Sequence, residues 1–416
     1  MNSSPRVSLR SARPGDEDQL AEVAFRSYRY PADSSFWVSY FRDHAHLSPR
    51  QIVVAEVNGV MAGHASMLSL TMSLCGEDVP VSGVAAVSVA PEFRRMGVAD
   101  RLLKESLRRM RQNGDALSLL FAFRWSFYRK FGYGPCETWD LLRVHPRQLP
   151  ESRHRRHVRA LDRASHDADV RRIYEAARAG TTGQLARSDY WWTGRVYRRA
   201  PLGTVHVDPG TGRVDGYMLY DVPTSPPYPA QHLLVRELRG ETPSAVQGLL
   251  GFLRAQADQY AMVELVLPRG EHAAWLDDYG LWDAPPSLCE HELAGLAMAG
   301  AMGRLVDVPA ALQHHPGPRR NGARGSFGLD VEGGTGSRPL RLDVRLGARG
   351  MRAVPGTAER KRVSLGSDRL AQVYFRALSA MRLLDMGLAS GSVDAAELLD
   401  AALGGPELHL GPMNAF

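Results

Sequence analysis

The stretch from Val79 to Phe123 limits the possible folds more than any other part of the chain. Val79 to Val89, rich in Val and Ala, reads as a strand, and Pro91, which cannot continue a ladder, stops it. From Gly97 to Gln112 the residues Ala99, Leu102, Leu103, Leu107 and Met110 fall on one helical face, with Arg101, Glu105, Arg108 and Arg109 opposite. Gly114-Asp115 ends this helix, and Leu117 to Phe123 reads as a buried strand. A strand–helix–strand unit of this length normally makes a right-handed parallel crossover. Upstream, Val7 to Ser11 is a short strand, and a helix carrying Leu20, Val23, Ala24 and Ser27 follows Pro14-Gly15-Asp16. Gln51 to Val57 and Val60 to Met72 are joined by Asn58-Gly59, a dipeptide suited to a two-residue hairpin turn. A mixed α/β sheet is implied.

The same order recurs further on. Leu233 to Leu238, Thr242 to Gln256 and Met262 to Leu267 form a second strand–helix–strand without a Gly-rich turn, in a unit expected to begin near residue 150. Short strands at Gly328 to Val331 and Leu340 to Leu346, with helices expected over Ser367 to Leu384 and Asp394 to Leu403, suggest a third, α+β unit. Asp394 and Glu397 are spaced for a capping box in the last of these helices. A length of 416 residues accommodates such a division, since domains typically hold about 100 to 200 residues.

Charge and composition remove several function classes. The 51 basic and 45 acidic residues nearly cancel, and no basic run is interleaved with spaced aromatics, so nucleic acid is not expected as a partner. Cys75, Cys136 and Cys289 have no paired metal-ligand spacing, and His44/His46 and His314/His315 lack a third ligand, so no metal is expected. No apolar run approaches the roughly 20 residues that span a bilayer, and no leader opens the chain; the expectation is a cytoplasmic protein with no membrane contact. A Gly-x-Ser-x-Gly elbow is absent, and Cys136 has no local base.

Two segments carry chemistry. Val87-Ser88-Val89-Ala90-Pro91-Glu92-Phe93-Arg94-Arg95-Met96-Gly97-Val98-Ala99 is a strand, a tight turn and the first turn of a helix. Main-chain N–H groups at a helix start face outward with the positive end of the dipole, which suits a pyrophosphate, and Gly97 lets a phosphate approach without a Cβ in the way. Arg94 and Arg95 add charge, and the competing reading is a solvated turn. The second segment, Arg124 to Pro135, follows the buried strand and contains Tyr128 and Tyr133. A phenol titrating near ~10 can protonate a departing thiolate whose thiol has a pKa near ~8.5, so Tyr128 is the candidate general acid; the alternative is an ordinary half-buried aromatic.

The spacing R-x-x-G-x-A in Arg94 to Ala99 resembles the acyl-CoA signature of GNAT N-acetyltransferases. With Phe127 to Gly134, Gly216 to Tyr220, Val235 to Arg239, Val306 to Leu312 and the terminal Phe416, the whole chain resembles the Eis-type (enhanced intracellular survival) acetyltransferases. That resemblance implies tandem GNAT acyltransferase folds followed by a sterol-carrier-protein-like α+β domain. The expected boundaries are 1–150 for the catalytic acetyl-CoA-binding domain, 151–292 for a degenerate second GNAT domain, and 293–416 for the domain that delivers the C-terminus to the active site. It implies direct acetyl transfer from acetyl-CoA, as co-substrate, to a small-molecule primary amine, in a homo-oligomer that is hexameric in the family. Val87, Ser88, Val89, Arg94, Arg95, Met96, Gly97, Val98 and Ala99 would hold the co-substrate, Tyr128 would be the acid, and the carboxylate of Phe416 the base.

Departures from the family's pattern bear on the acceptor. Acidic pocket positions become Ser27 and Ala415, a pocket aromatic becomes Ala86, Trp37 matches a pocket aromatic, and Tyr28, Tyr30, Phe36 and Tyr40 could build an aromatic wall. Plain core competes with that wall, because adjacent Phe36 and Trp37 cannot face the same way on a helix. The family's Ser-Glu-Gly-Gly is replaced by Phe123-Arg124-Trp125-Ser126. Three readings follow: an aminoglycoside-type or other amine, a hydrophobic, aromatic or peptide-like natural-product amine in biosynthesis or self-resistance, and a non-catalytic CoA-ester or lipid-binding protein.

Overall fold

The computed structural model describes residues 7–28, 34–224, 230–271, 295–333 and 339–416; Tyr30, Cys289 and the expected boundary at residue 292 lie outside them. Two compact units form: one from Met1–Cys136, Ala301–Leu408 and Phe416, the other from Glu137–Gly300 and His409–Ala415.

The first unit is built on a seven-stranded sheet. Strands β1 (Val7–Ser11), β2 (Ile52–Val57), β3 (Val60–Leu74) and β4 (Glu77–Val89) run antiparallel in sequence order, and β5 (Leu117–Leu120) lies parallel to β4. The β2–β3 turn places both Asn58 and Gly59 at positive φ (50° and 83°), as a two-residue hairpin of this type demands. Helix α3 (Val98–Asn113) makes the crossover; its Leu102, Leu103, Leu107 and Met110 are buried with Val53, Ala55 and Met67. On the opposite face, α1 (Glu17–Tyr28) and α2 (Ser35–Asp43) bury Leu20, Ala24, Trp37, Tyr40 and Phe41 against Ile52 and Val54. The alternation of β2 thus supplies both layers. Gly63 lets α3 lie close on the sheet: a Cβ there would lie 2.5 Å from the Ser88 carbonyl oxygen and 3.2 Å from Val98 Cγ1.

β4 and β5 pair only over Ser82–Val84 and Ser118–Leu120. Beyond that, β4 carries a bulge against β3, and Ala86 takes a left-handed φ of 47°. β5 ends at Leu120, short of the expected Phe123, and the two strands part. A strand at Met302–Leu305 lies on the other edge of β5 and pairs in turn with Gly134–Pro135.

The same unit holds a five-stranded sheet in the order Gly350–Pro355, Leu340–Gly347, Gly325–Glu332, Arg362–Gly366, Ala389–Gly391. Ser367 to Leu384, expected as one helix, is two, Ser367–Tyr374 and Ala380–Asp385. Arg376 at φ 66° stops the first, Ser379 caps the second by accepting from the Arg382 N–H at 3.0 Å, and Asp400 accepts from Ala380 N (2.6 Å) and Met381 N (3.0 Å). The last helix, Val393–Ala402, is capped by Ser392; Asp394, expected in a capping box, instead pairs with Lys361.

The second unit is a seven-stranded sheet that begins at Thr138. Its His232–Gly240 and Met262–Pro268 strands are parallel and joined by the helix Pro243–Arg254, the second crossover read from the sequence. Its segment His409–Ala415 is held by buried polar groups. Arg187 donates two bonds to Glu237 (3.0 and 2.7 Å) and one to Asn414 Oδ1 (2.8 Å), while Glu137 accepts from the N–H groups of Leu410 (2.7 Å) and Gly411 (2.8 Å). No helix among the described residues is long and apolar enough to cross a membrane.

His64, fully buried in β3, bonds the Leu20 carbonyl through Nε2 at 3.0 Å, and desolvation pushes its pKa down to about 4. The folded state therefore keeps the ring neutral, while the unfolded chain binds a proton near ~6.5, so stability is lost as pH falls from about 6.5 towards 4. His315 and His409, pushed by burial to about 3, act in the same direction. Urea unfolding measured across this window should show a steep loss, and His64→Gln should remove a share on the order of 3 kcal/mol of the pH dependence. An unchanged slope would refute the assignment to His64.

Candidate active site

The turn between β4 and α3 is shaped by two left-handed residues, Arg95 (φ 65°) and Gly97 (φ 76°). Gly97 is the residue before the first helical turn, and no side chain caps it. Its carbonyl accepts from Arg101 N at 3.1 Å, so the first-turn N–H groups of Val98, Ala99 and Asp100 precede the intrahelical ladder. A Cβ at Gly97 would meet nothing within 4 Å; the positive φ, and not crowding, calls for glycine there.

This turn forms one wall of a cavity of about 740 Å³ in the first unit. Val87 and Val89 face it from beyond the bulge, Ser27 and Tyr28 from the end of α1, and Phe123, Arg124, Phe127 and Lys130 from the segment after β5. The Tyr28 hydroxyl donates to the Val87 carbonyl (2.9 Å), and Ser27 Oγ lies 3.0 Å from the Val89 carbonyl and 2.6 Å from that of Val23. Trp37 is buried behind Tyr28 and stacks on it, ring centres 5.2 Å apart at 19°.

Tyr128 lies on the short helix α4 (Trp125–Arg129), buried among the rings of Phe127 (5.0 Å), Phe123 (5.7 Å) and Tyr133 (6.3 Å). Burial, and then the neighbouring phenols of Tyr28 and Tyr133, push its pKa well above the ordinary tyrosine value. The Tyr133 hydroxyl is engaged with Ser118 Oγ at 2.8 Å. The Phe416 ring lies edge-on to Phe121 (5.6 Å, 79°) and so close over Gly83 that a Cβ there would be 2.8 Å from its Cε2. Gly83 and Phe121 flank the point where β4 and β5 part.

Among the residues expected at the site, Val87, Val89, Arg94, Arg95, Gly97, Val98, Ala99, Ser27 and Tyr28 line one cavity. Ser88 faces the other way, buried, its hydroxyl 3.3 Å from the Ala86 carbonyl, and Met96 is exposed on the turn. Phe36 and Ala86 pack against the α1–α2 core. Ala415 belongs to the second unit, its carbonyl accepting from Arg199 (2.8 Å) and Arg195 (3.3 Å). Sequence reading missed Phe93, Asp100, Phe127 and Lys130, which also line the cavity. One signal was present: the chain has only three lysines, and two of them, Lys104 and Lys130, lie 2.7 and 3.6 Å from Asp100. Lys130 also sits 4.5 Å above the Phe127 ring.

The crossover helix of the second unit offers no such turn. Thr242 caps it by accepting from Ala245 N (3.1 Å) and donates to Asp215 (2.7 Å), so a carboxylate stands where a phosphate would have to approach.

Comparison with known proteins agrees with this geometry. Residues 8–136 and 183–279 each match the description of an acetyltransferase (GNAT) domain. An uncharacterised N-acetyltransferase of Streptomyces griseus is 26% identical over 354 residues, covering 76% of this chain and 77% of its own. The N-acetyltransferase Eis of Mycobacterium tuberculosis is 28% identical over 223 residues, 49% of this chain and 52% of that protein. The crystal structure of Eis1 from Mycobacterium abscessus shares the fold, with a TM-score of 0.75 and 22% identity over 99% of this chain and 100% of that one. The chain carries two GNAT acetyltransferase domains in tandem and is an acetyltransferase that uses acetyl-CoA, similar in sequence to Eis proteins and in fold to Eis1.

The turn fits the pyrophosphate of that co-substrate, with unladdered N–H groups, two arginines and open space over Gly97. Gly97→Ala, placing a Cβ at φ 76° on the approach side, should weaken acetyl-CoA binding at least tenfold by calorimetry, at a stability cost of only about 1 kcal/mol. Unchanged affinity would place the pyrophosphate elsewhere.

Proposed function

We propose that the first unit transfers the acetyl group of acetyl-CoA directly to a primary amine. The pyrophosphate lies on the Arg94–Ala99 turn, the pantetheine follows β4 past the Ala86 bulge, and the thioester reaches the gap beyond Val84 and Leu120. The amine nitrogen attacks the thioester carbonyl, an N–C bond forms and the C–S bond breaks. Tyr128 supplies a proton to the departing thiolate, and the Phe416 carboxylate takes the amine proton, directly or through a water. The observation that carries this reading is one cavity lined both by the Arg94–Ala99 turn and by Arg124, Phe127 and Lys130, which flank the buried Tyr128.

The carbonyls of Val87 and Val89 already lie within hydrogen-bond distance of Tyr28 and Ser27, so the thioester oxygen would take main-chain N–H groups of this segment, an oxyanion-type role. An α-carboxylate with an ordinary pKa of only ~3.3 to 3.7 is a weak base, and apolar surroundings raise that value. Bedding of the Phe416 ring on Gly83 and Phe121 supports such surroundings. Burial keeps Tyr128 protonated across the assay range but makes it a weaker acid than a free phenol, so it acts on the departing sulfur by hydrogen bonding ahead of full proton transfer. Residues 293–416 are read as a sterol-carrier-like domain, in keeping with their five-stranded sheet, and the assembly as a homo-oligomer, hexameric by resemblance.

Free-thiol release from acetyl-CoA in the presence of amines tests this. Tyr128→Phe and deletion of Phe416 should each lower kcat about a hundredfold, with the acetyl-CoA Kd within threefold of wild type. Gly83→Ala, whose Cβ displaces the terminal ring, should lower kcat less than the deletion does. Full activity without Phe416 would remove the terminal carboxylate from the mechanism.

A further inference from the structure

The cavity is lined by cations, Arg94 and Arg95 on the turn and Arg124 and Lys130 from the segment after β5, and by the aromatic rings of Tyr28, Phe123 and Phe127, the last lying under Lys130. Among the described lining residues the only carboxylate side chain is Asp100, which already faces Lys104 and Lys130.

Among the described residues exposed aromatic rings are few, and they gather here. The exposed Phe, Tyr and Trp side chains among those residues are Phe123 (72%), Tyr28 (44%) and Trp125 (37%). The first two line the cavity, and Trp125 opens α4 beside Arg124. The fold itself gains little from Phe123, whose ring touches those of Phe127 and Tyr128 while most of its surface faces water. Such a ring at a catalytic cavity has apolar area to offer a ligand. Tyr28 is braced to do the same, because its hydroxyl is tied to β4 and its ring is backed by Trp37, so its orientation is set before any ligand arrives.

We propose that the acceptor is an arylalkyl monoamine, a flat aromatic body carrying one primary amine, held between Tyr28 and Phe123. A polyamine or aminoglycoside would bring several ammonium groups up to Arg124 and Lys130, where the side-chain carboxylate among the described lining residues, Asp100, is already paired with Lys104 and Lys130. An arylalkyl monoamine places one nitrogen at the thioester and buries its ring between Tyr28 and Phe123. This inference rests on the acetyl-transfer reading above.

The test is acetyl-CoA thiol release with the full chain and four amines: 2-phenylethylamine, hexylamine, spermine and kanamycin. The arylalkylamine should exceed spermine and kanamycin in kcat/KM by at least tenfold, and hexylamine by at least threefold. Phe123→Ala should raise the arylalkylamine's KM about tenfold and reduce its advantage over hexylamine, whereas Phe123→Tyr should retain both. Arg124→Glu should improve spermine relative to the arylalkylamine. Faster turnover of spermine or kanamycin than of the arylalkylamine by the wild-type chain would overturn the acceptor class and leave acetyl transfer standing. No thiol release with any amine, despite acetyl-CoA binding by calorimetry, would overturn acetyl transfer and this inference with it.

Discussion

The first unit depends on the early end of one parallel strand pair. β4 and β5 share hydrogen bonds over three rungs, and then the bulge at Ala86 turns β4 away while β5 stops at Leu120. Extra residues in one strand bend it and interrupt its ladder, and the interruption leaves main-chain polar groups that need other partners. Tyr28 and Ser27 supply some of these partners from α1, at the carbonyls of Val87 and Val89. An extended amide-bearing chain such as pantetheine is suited to supplying others. Phe416 takes the apolar space over Gly83, a position where any side chain would collide with its ring.

The bulge also aims the turn that follows. Arg95 and Gly97 both take left-handed conformations, which reverse the chain sharply and point the start of α3 into the cavity. One left-handed arginine costs about 1 kcal/mol or more, a strain of the kind found at ligand-binding turns. The packing that absorbs it is broad, since α3 buries Leu102, Leu103, Leu107 and Met110 on the sheet and Gly63 allows the close approach. The second crossover helix shows the contrast. It starts from a threonine cap bonded to Asp215, a sound helix start that repels an anion.

The second unit relies on a different device. Arg187 and Glu237 form a fully buried, bidentate ion pair, and Tyr217 adds a bond to Glu237 at 2.7 Å. Desolvation of both charges is costly, and such a pair is tolerated only when its remaining hydrogen-bonding capacity is met. Asn414 meets part of it, and the guanidinium also stacks on the Tyr174 ring, 3.8 Å from its centre. The segment His409–Ala415 is thereby ordered by charge and hydrogen bonding, where composition alone reads as a Gly-Pro tail.

The sequence by itself determined the elements whose causes are local. Hydrophobic period placed α3 and the strands around it, Asn58-Gly59 made the hairpin, and Arg94 to Gly97 marked the sharp turn at the head of α3. Several features were decided only by tertiary structure. The four-residue strand Met302–Leu305 has no usable period, and its place beside β5 comes from a pairing distant along the chain. The break at Arg376 was hidden because Asp400, which caps the helix that follows it, arrives from another helix. Ser88, inside the motif, faces the core because the bulge resets which side chains point inward. Phe93, Asp100, Phe127 and Lys130 entered the cavity for the same kind of reason: local spacing sets which face of an element a residue occupies, and only the packing of elements decides what that face meets.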